Sequence, residues 1–117
     1  MRQYAIDAAR QIRLQSNVGT KVGSCLVKGG RILSLACNKS GKGTNTIWSR
    51  HAEDSLLLGK DAAGGTVYVY REHGGTGRLL NAKPCPTCSV RLREANVRQV
   101  FYTVDGGWEV MRLRGNG

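Results

Sequence analysis

Three residues, Asp105-Gly106-Gly107, separate two β-type runs near the end of the chain, RQVFYTV at 98–104 and WEVMRL at 108–113. A connection this short can join antiparallel neighbours in a sheet, whereas a parallel crossover needs about a dozen residues or more. The last two strands are therefore predicted to form an antiparallel hairpin, and a purely parallel sheet is excluded.

The remainder of the chain alternates helical and β-type patterns. Runs at 22–27 and 32–36, joined through Lys28-Gly29-Gly30, predict a second hairpin. The segment TVYVYR at 66–71 alternates strictly and predicts a strand. A first helix is predicted over 2–15, because apolar residues recur on one face at helical spacing: Tyr4, Ala5, Ala8, Ala9 and Ile12.

Two further helices complete the predicted order. Ser49 can cap one over 50–59, which Gly59 would end, and Pro84 leads into another near 86–96. In the latter, the apolar contacts are expected from Val90, Leu92 and Ala95. This order predicts an α/β domain with a five-stranded mixed sheet, helices packed on it, and parallel neighbours at the βαβ steps.

The composition is that of a folded and strongly basic protein. The 117 residues include 18 Lys or Arg and 8 Asp or Glu, which gives a formal net charge of +10. A hydrophobic content of 40% suffices for one core, so we expect a single domain over 1–117 and exclude a disordered chain. No acidic residue lies between Asp7 and Glu53, so the first half favours phosphate-bearing partners, whether nucleotides or nucleic acids.

The four cysteines are expected to be reduced. No apolar stretch reaches the roughly 18 to 20 residues of a membrane span, and the first residues lack an apolar export signal, which predicts a cytoplasmic protein without a membrane partner. In that compartment Cys85-Pro86-Thr87-Cys88 favours metal or redox chemistry over disulfides. Cys25 and Cys37, in or beside predicted strands, are expected to be buried, unreactive thiols.

Two motifs stand at the starts of the second and third predicted helices, His51-Ala52-Glu53 and Cys85-Pro86-Thr87-Cys88. A Cys-x-x-Cys at a helix start lets both thiolates reach one ion, and the N–H groups of the first turn stabilise their negative charge. With His51 as the third ligand, Zn²⁺ would keep its fourth position for water, as catalytic zinc sites do. Glu53 can reach that water and is predicted to be the catalytic proton shuttle.

His51-x-Glu53 followed by Pro84-Cys85-x-x-Cys88 resembles the signature of the zinc-dependent cytidine and deoxycytidylate deaminase superfamily. The resemblance implies a three-layer fold like that of cytidine deaminase, with Zn²⁺ as cofactor. It also implies hydrolytic loss of ammonia from C4 of cytosine or C6 of adenine. Deoxycytidylate and tRNA adenosine deaminases share the histidine of the first motif, whereas the terminal hairpin is similar to that of free cytidine deaminases and toxin-type deaminases.

Four residues are candidate substrate contacts: Asn38, Trp48, Ala52 and Pro84. The resemblance implies that Asn38 holds the sugar or the base edge and that the main-chain groups of Ala52 and Cys85 touch the base. Trp48, beside the first motif, is a candidate for stacking on a base. The expected substrate is a free cytidine or deoxycytidine nucleoside or monophosphate, with single-stranded DNA or RNA as the alternative. The resemblance is also compatible with a homo-oligomer.

Two other uses of the cysteine pair remain open on the sequence. His73 could complete a structural site of two cysteines and two histidines, which would leave Glu53 beside the metal without a task. Cys-Pro-x-Cys also resembles the glutaredoxin active site. Thioredoxin-type folds, however, need a later cis-proline, and no proline follows Pro86.

Overall fold

The computed structural model describes residues 2–15, 20–37, 62–73, 75–84 and 86–113. Their elements, in chain order, are α1 (Gln3–Ile12), a 3₁₀ turn (Arg13–Gln15), β1 (Thr20–Lys28), β2 (Arg31–Cys37), β3 (Thr66–His73), α2 (Pro86–Glu94), β4 (Gln99–Val104) and β5 (Gly107–Arg112). The helix predicted over 50–59 lies outside the described residues. No helix in the described ranges is long and apolar enough to cross a membrane.

The described strands form one five-stranded mixed sheet in the order β2-β1-β3-β4-β5. β1 is antiparallel to both β2 and β3, β3 is parallel to β4, and β4 is antiparallel to β5. Both predicted hairpins are confirmed, as is the mixed sheet. The expectation of parallel neighbours holds for β3 and β4 but is wrong for β2 and β3, because β1 lies between those two strands.

The sheet is covered on both faces, which confirms the predicted three layers. Successive residues of a strand point to opposite faces, so alternate residues of β3 enter different cores. Val67 and Val69 pack with Leu92 of α2 in one core, whereas Tyr68 and Tyr70 pack in the other core with residues of α1.

α1 lies directly against β1 at Gly23. A Cβ atom at this position would stand 2.0 Å from the Ala9 carbonyl oxygen and 2.8 Å from the Arg13 nitrogen. Only glycine therefore permits this close approach of helix and strand. Ala5 and Ala9 are fully buried at the contact, as the helical spacing predicts, but Tyr4 at the margin of that face keeps 40% of its surface exposed.

α2 presents a narrow apolar stripe to the sheet. Cys88 and Leu92, four residues apart, are both buried, and Ala95 packs against the same core. The expectation for Val90 is wrong, because Val90 lies off this stripe and is 52% exposed.

The helix also ends before the predicted residue 96. Asn96 takes a left-handed conformation with φ 61°, and its N–H donates to the Arg93 carbonyl at 3.0 Å. The Val97 N–H donates to the Leu92 carbonyl at 3.1 Å. This pair of bonds is a Schellman motif, which satisfies carbonyls of the last turn and stops the helix.

Candidate active site

Cys88 lies in the first turn of α2 and is 2% exposed. Pro86 is the first helical residue, where its missing N–H costs no intrahelical bond and its fixed φ suits the helix. Pro84, the residue before the motif, is buried, and its carbonyl accepts a hydrogen bond from Ser89 Oγ at 3.4 Å. The second cysteine of the motif is thus held inside the protein, at the end of a short and locally bonded turn.

The loop that leads into this turn lies between β3 and β4 at their carboxyl ends. The direct pairing of the two parallel strands runs as far as Val69 opposite Tyr102. Beyond that point each strand bonds to the loop: the Leu80 N–H donates to the Arg71 carbonyl at 3.0 Å, and the Ala82 N–H donates to the Thr103 carbonyl at 2.8 Å. Crevices at the carboxyl ends of parallel strands are where ligands bind in open α/β sheets.

Thr103 of β4 connects its own strand to β3 and to the loop at the point where the two strands separate. Its Oγ1 accepts a hydrogen bond from the Arg71 N–H at 3.1 Å and donates to the Leu80 carbonyl at 2.8 Å. The residue has no exposed surface. Because the same residue also accepts from the Ala82 N–H through its carbonyl, Thr103 fixes the loop on both sides of Asn81.

Asn81 adds two bonds to this arrangement. Its carbonyl accepts from Arg71 Nη1 at 2.8 Å, and its Oδ1 accepts from the Lys83 N–H at 2.8 Å. The bonds of Arg71, Leu80, Asn81, Ala82 and Thr103 are called the loop anchor below. No sequence pattern identifies it, because a threonine within a β-type run is also an ordinary strand residue.

Cys88 and Pro84 are the two predicted site residues that fall within the described part of the chain. His51, Glu53 and Cys85, together with Asn38, Trp48 and Ala52, lie outside it, so their roles stay predictions. Within the described ranges no three His, Cys, Asp or Glu side chains come together, and Cys88 is the one predicted ligand in those ranges.

The buried position of Cys88 suits a zinc ligand, since a thiolate in the first turn of a helix faces the unpaired N–H groups there. Cys25 has a different setting: it lies on the α1 side of the sheet, and its Sγ is 3.3 Å from the Ala5 carbonyl. Burial raises the pKa of the Cys25 thiol to about 12. The predicted burial of Cys25 and of Cys37 is confirmed.

His73 lies at the end of β3 and is exposed. Its Nδ1 accepts a hydrogen bond from the Gly75 N–H at 3.2 Å and stands 3.3 Å from Thr76 Oγ1. The imidazole is therefore held at the surface by its own turn.

Carboxylates at the carboxyl end of the sheet are neutralised by arginines. Glu72 forms an ion pair with Arg13, whose guanidinium also lies 5.4 Å from the centre of the Tyr70 ring. Asp105 is bonded to Arg78 at 2.8 Å, and this hydrogen bond holds the pKa of the Asp105 carboxyl below its usual value.

Several solved structures similar to this chain are deaminases. A cytidine deaminase from Burkholderia pseudomallei is 23% identical, with a TM-score of 0.74, and the alignment covers 97% of this chain and 94% of that one. A dCMP deaminase from the cyanophage S-TIM5 is 25% identical, with a TM-score of 0.67 and coverage of 87% and 84%. A cytidine deaminase from Mycobacterium leprae is 24% identical, with a TM-score of 0.62 and coverage of 92% and 90%.

No curated protein matches the chain in a sequence search. The family model for the cytidine and deoxycytidylate deaminase zinc-binding region matches residues 1–104, a range that includes both sequence motifs. The cofactor implied by this region is Zn²⁺. The chain belongs to the cytidine and deoxycytidylate deaminase family.

Proposed function

We propose that this chain is a single-domain, zinc-dependent hydrolase that converts cytosine to uracil on a free cytidine or deoxycytidine nucleoside or monophosphate. The observation that carries the proposal is the buried Cys88 in the first turn of α2, inside the matched zinc-binding region. The surface position of His73, bonded within its own turn, argues for His51 rather than His73 as the histidine ligand.

Under this proposal His51, Cys85 and Cys88 hold the metal. Zinc in such a site supplies a Lewis acid that lowers the pKa of water towards neutrality. The two cysteines serve as thiolates, and the N–H groups at the start of α2 stabilise their charge. His51 serves as the neutral imidazole, the form in which a ring nitrogen can bind a metal.

Glu53 moves the protons of the reaction. Its carboxylate accepts one proton from water as the water oxygen forms a bond to C4 of the base. It then gives this proton to the ring nitrogen N3. The remaining proton of the new C4 hydroxyl passes through Glu53 to the 4-amino group, so that ammonia leaves as the C4–N bond breaks and the C4=O bond of uracil forms. Water thus provides the O4 atom of uracil. General acid–base catalysis of this kind typically raises a reaction rate by about 10²- to 10⁴-fold.

Substrate contacts fall to residues around the two motifs. Asn38 is proposed to hydrogen-bond the sugar or the base edge, and Trp48 to stack on the base. Ala52 and Pro84 are proposed to contact the base beside the metal. A nucleotide-sized substrate is supported by the fold neighbour from cyanophage S-TIM5, whose structure is also known in complex with dCMP and dUMP. The net charge of +10 would favour the phosphate of a monophosphate.

The test uses the zinc-loaded protein and two matched variants, Glu53→Ala and Glu53→Gln. The substrates are cytidine, deoxycytidine, CMP, dCMP, and single-stranded and duplex DNA and RNA, with uracil- or inosine-containing products measured by mass spectrometry. We expect turnover of a free nucleoside or monophosphate, with retained zinc but at least about 100-fold lower kcat in both variants. Near-normal turnover in Glu53→Ala would contradict the assignment of the proton shuttle.

The same assay separates the two substrate classes. Activity on single strands alone, absent on duplex and falling steeply with salt, would establish a polynucleotide substrate instead. Mass measurement of the native protein with and without dCMP reports whether the active form is a homo-oligomer.

A further inference from the structure

The loop anchor lies directly upstream of the predicted cysteine ligands. Ala82, which is bonded to the Thr103 carbonyl, precedes Cys85 by only three residues. Of the residues between them, the Lys83 N–H is bonded to Asn81 Oδ1, and Pro84 is buried with its carbonyl bonded to Ser89 Oγ. Residues 82–84 are therefore each restrained by a hydrogen bond. We expect a displacement of residues 80–82 to move the start of α2 as well.

The hydroxyl of Thr103 is the central group of this anchor. It satisfies the Arg71 N–H on β3 and the Leu80 carbonyl on the loop, and Thr103 itself has no exposed surface. A side chain of the same shape without the hydroxyl would leave both half-buried backbone groups without this partner. Such groups are costly to bury, so the strand and the loop would rearrange to recover a partner.

We infer that Thr103 is a positioning residue for the metal site, and that its hydroxyl sets the affinity for zinc by fixing the loop that presents Cys85 and Cys88. This inference rests on the proposed zinc ligands, but not on the identity of the substrate. Groups that hydrogen-bond a metal-ligating side chain typically change metal affinity by 10- to 100-fold when they are removed. We expect an effect in this range from Thr103, which acts on the ligands through the backbone of the loop.

The test measures zinc affinity directly, by competition with a chromophoric chelator, in Thr103→Val and Thr103→Ser. Valine keeps the shape of threonine and removes the hydroxyl, whereas serine keeps the hydroxyl. We expect the dissociation constant for zinc to rise about 10- to 100-fold in Thr103→Val and to stay within about threefold of the parent in Thr103→Ser. With Co²⁺ as a spectroscopic probe, the absorption bands of Thr103→Val should shift or weaken.

A matched control separates positioning from loss of stability. Val27→Ala removes buried apolar atoms on the α1 side of the sheet, the face opposite α2. It should lower the melting temperature of the metal-free protein while leaving the zinc dissociation constant unchanged. An equal loss of zinc affinity in Val27→Ala and Thr103→Val would overturn the inference, as would an unchanged affinity in Thr103→Val.

A second variant tests the anchor from an exposed position. Asn81→Ala removes the acceptor of the Lys83 N–H without opening a buried space, so the protein should fold. A several-fold weaker zinc affinity is expected, and if Thr103→Val does not fold, unchanged affinity in Asn81→Ala overturns the inference. Failure of the unaltered protein to bind zinc would instead refute the proposed metal site itself, which distinguishes the two results.

Discussion

Replacing Gly23 by alanine tests the contact between α1 and the sheet. The new Cβ would stand 2.0 Å from the Ala9 carbonyl oxygen, whereas real Cβ atoms essentially never approach another heavy atom closer than 3.0 Å. The helix must therefore retreat by about 1 Å, since the obstacle is backbone and cannot rotate away. A gap of 0.5 to 1 Å forfeits about a quarter to a half of the dispersion energy of each affected contact.

The retreat would loosen the buried contacts of Ala5 and Ala9 along the helix. Overpacking of a core costs about 1 to 3 kcal/mol, and we expect the upper end, about 3 kcal/mol, because a whole helix must move. At this chain length 1 kcal/mol corresponds to roughly 4 °C, so the melting temperature should fall by about 12 °C. Urea unfolding followed by circular dichroism gives the free energy, and a thermal scan gives the melting temperature.

Gly107→Ala is the matched control for this change. A Cβ at Gly107 meets no atom within 4 Å, and its φ is not in the left-handed region. The control should leave stability unchanged or raise it by up to about 1 kcal/mol, since alanine restricts the unfolded chain. Equal stability of Gly23→Ala and Gly107→Ala would refute the seating of α1 on β1.

Two further predictions concern the Cys25 thiol and the end of α2. Burial raises the pKa of the Cys25 thiol from 9.0 to about 12 on folding. Well below pH 9 the thiol is protonated in both states and does not change the free energy of unfolding. As the pH rises from 9 towards 12, the protein loses stability, because only the unfolded state loses the proton. Between pH 8.5 and 10, urea unfolding should show a loss about 1 kcal/mol larger in the parent than in Cys25→Ala, and equal losses would contradict the burial of the thiol. At the end of α2, Asn96→Gly should stabilise the protein by about 0.5 to 1 kcal/mol and Asn96→Ala should destabilise it by about 1 kcal/mol, because of the left-handed φ. The same unfolding assay measures both, and an opposite order would show that the Schellman motif does not form.

The hairpins could be predicted from sequence because short connections leave a chain few choices. Lys28-Gly29-Gly30 and Asp105-Gly106-Gly107 each link strands that pair antiparallel in the structure. The position of β1 between β2 and β3 could not be predicted from a short connection in this way. It depends on the pairing of residues far apart in the chain, such as Cys25 of β1 with Tyr68 of β3, and no local pattern encodes it.

Helix ends were less predictable than helix positions. Asn96 directly follows the apolar residues whose spacing favours a helix. Its short polar side chain, however, tolerates the left-handed conformation that ends a helix. Val90 is apolar, yet it lies on the exposed side of α2. Cys88 and Leu92 occupy the side that faces the sheet.

The buried Cys88 follows from the motif, whereas the loop anchor does not. Thr103 has the β-branched side chain that any strand favours, and only the paths of β3 and the loop show that its hydroxyl lies between them. A motif shows which atoms can bind a metal. The residues that hold the motif in place are ordinary ones, and they can be identified only from contacts between distant parts of the chain.

The short length of α2 makes this external support necessary. A nine-residue helix is below the roughly 12 to 15 residues at which isolated helices become even marginally stable, so α2 depends on packing and on its two connections. Leu92 fixes the face that the middle of α2 turns towards the core, and Asn96 fixes its end. We expect the connection before the first turn, which Thr103 holds, to add the remaining restraint on Cys88. The position of Cys88 is therefore expected to depend on the carboxyl ends of β3 and β4 as well as on the helix that carries it.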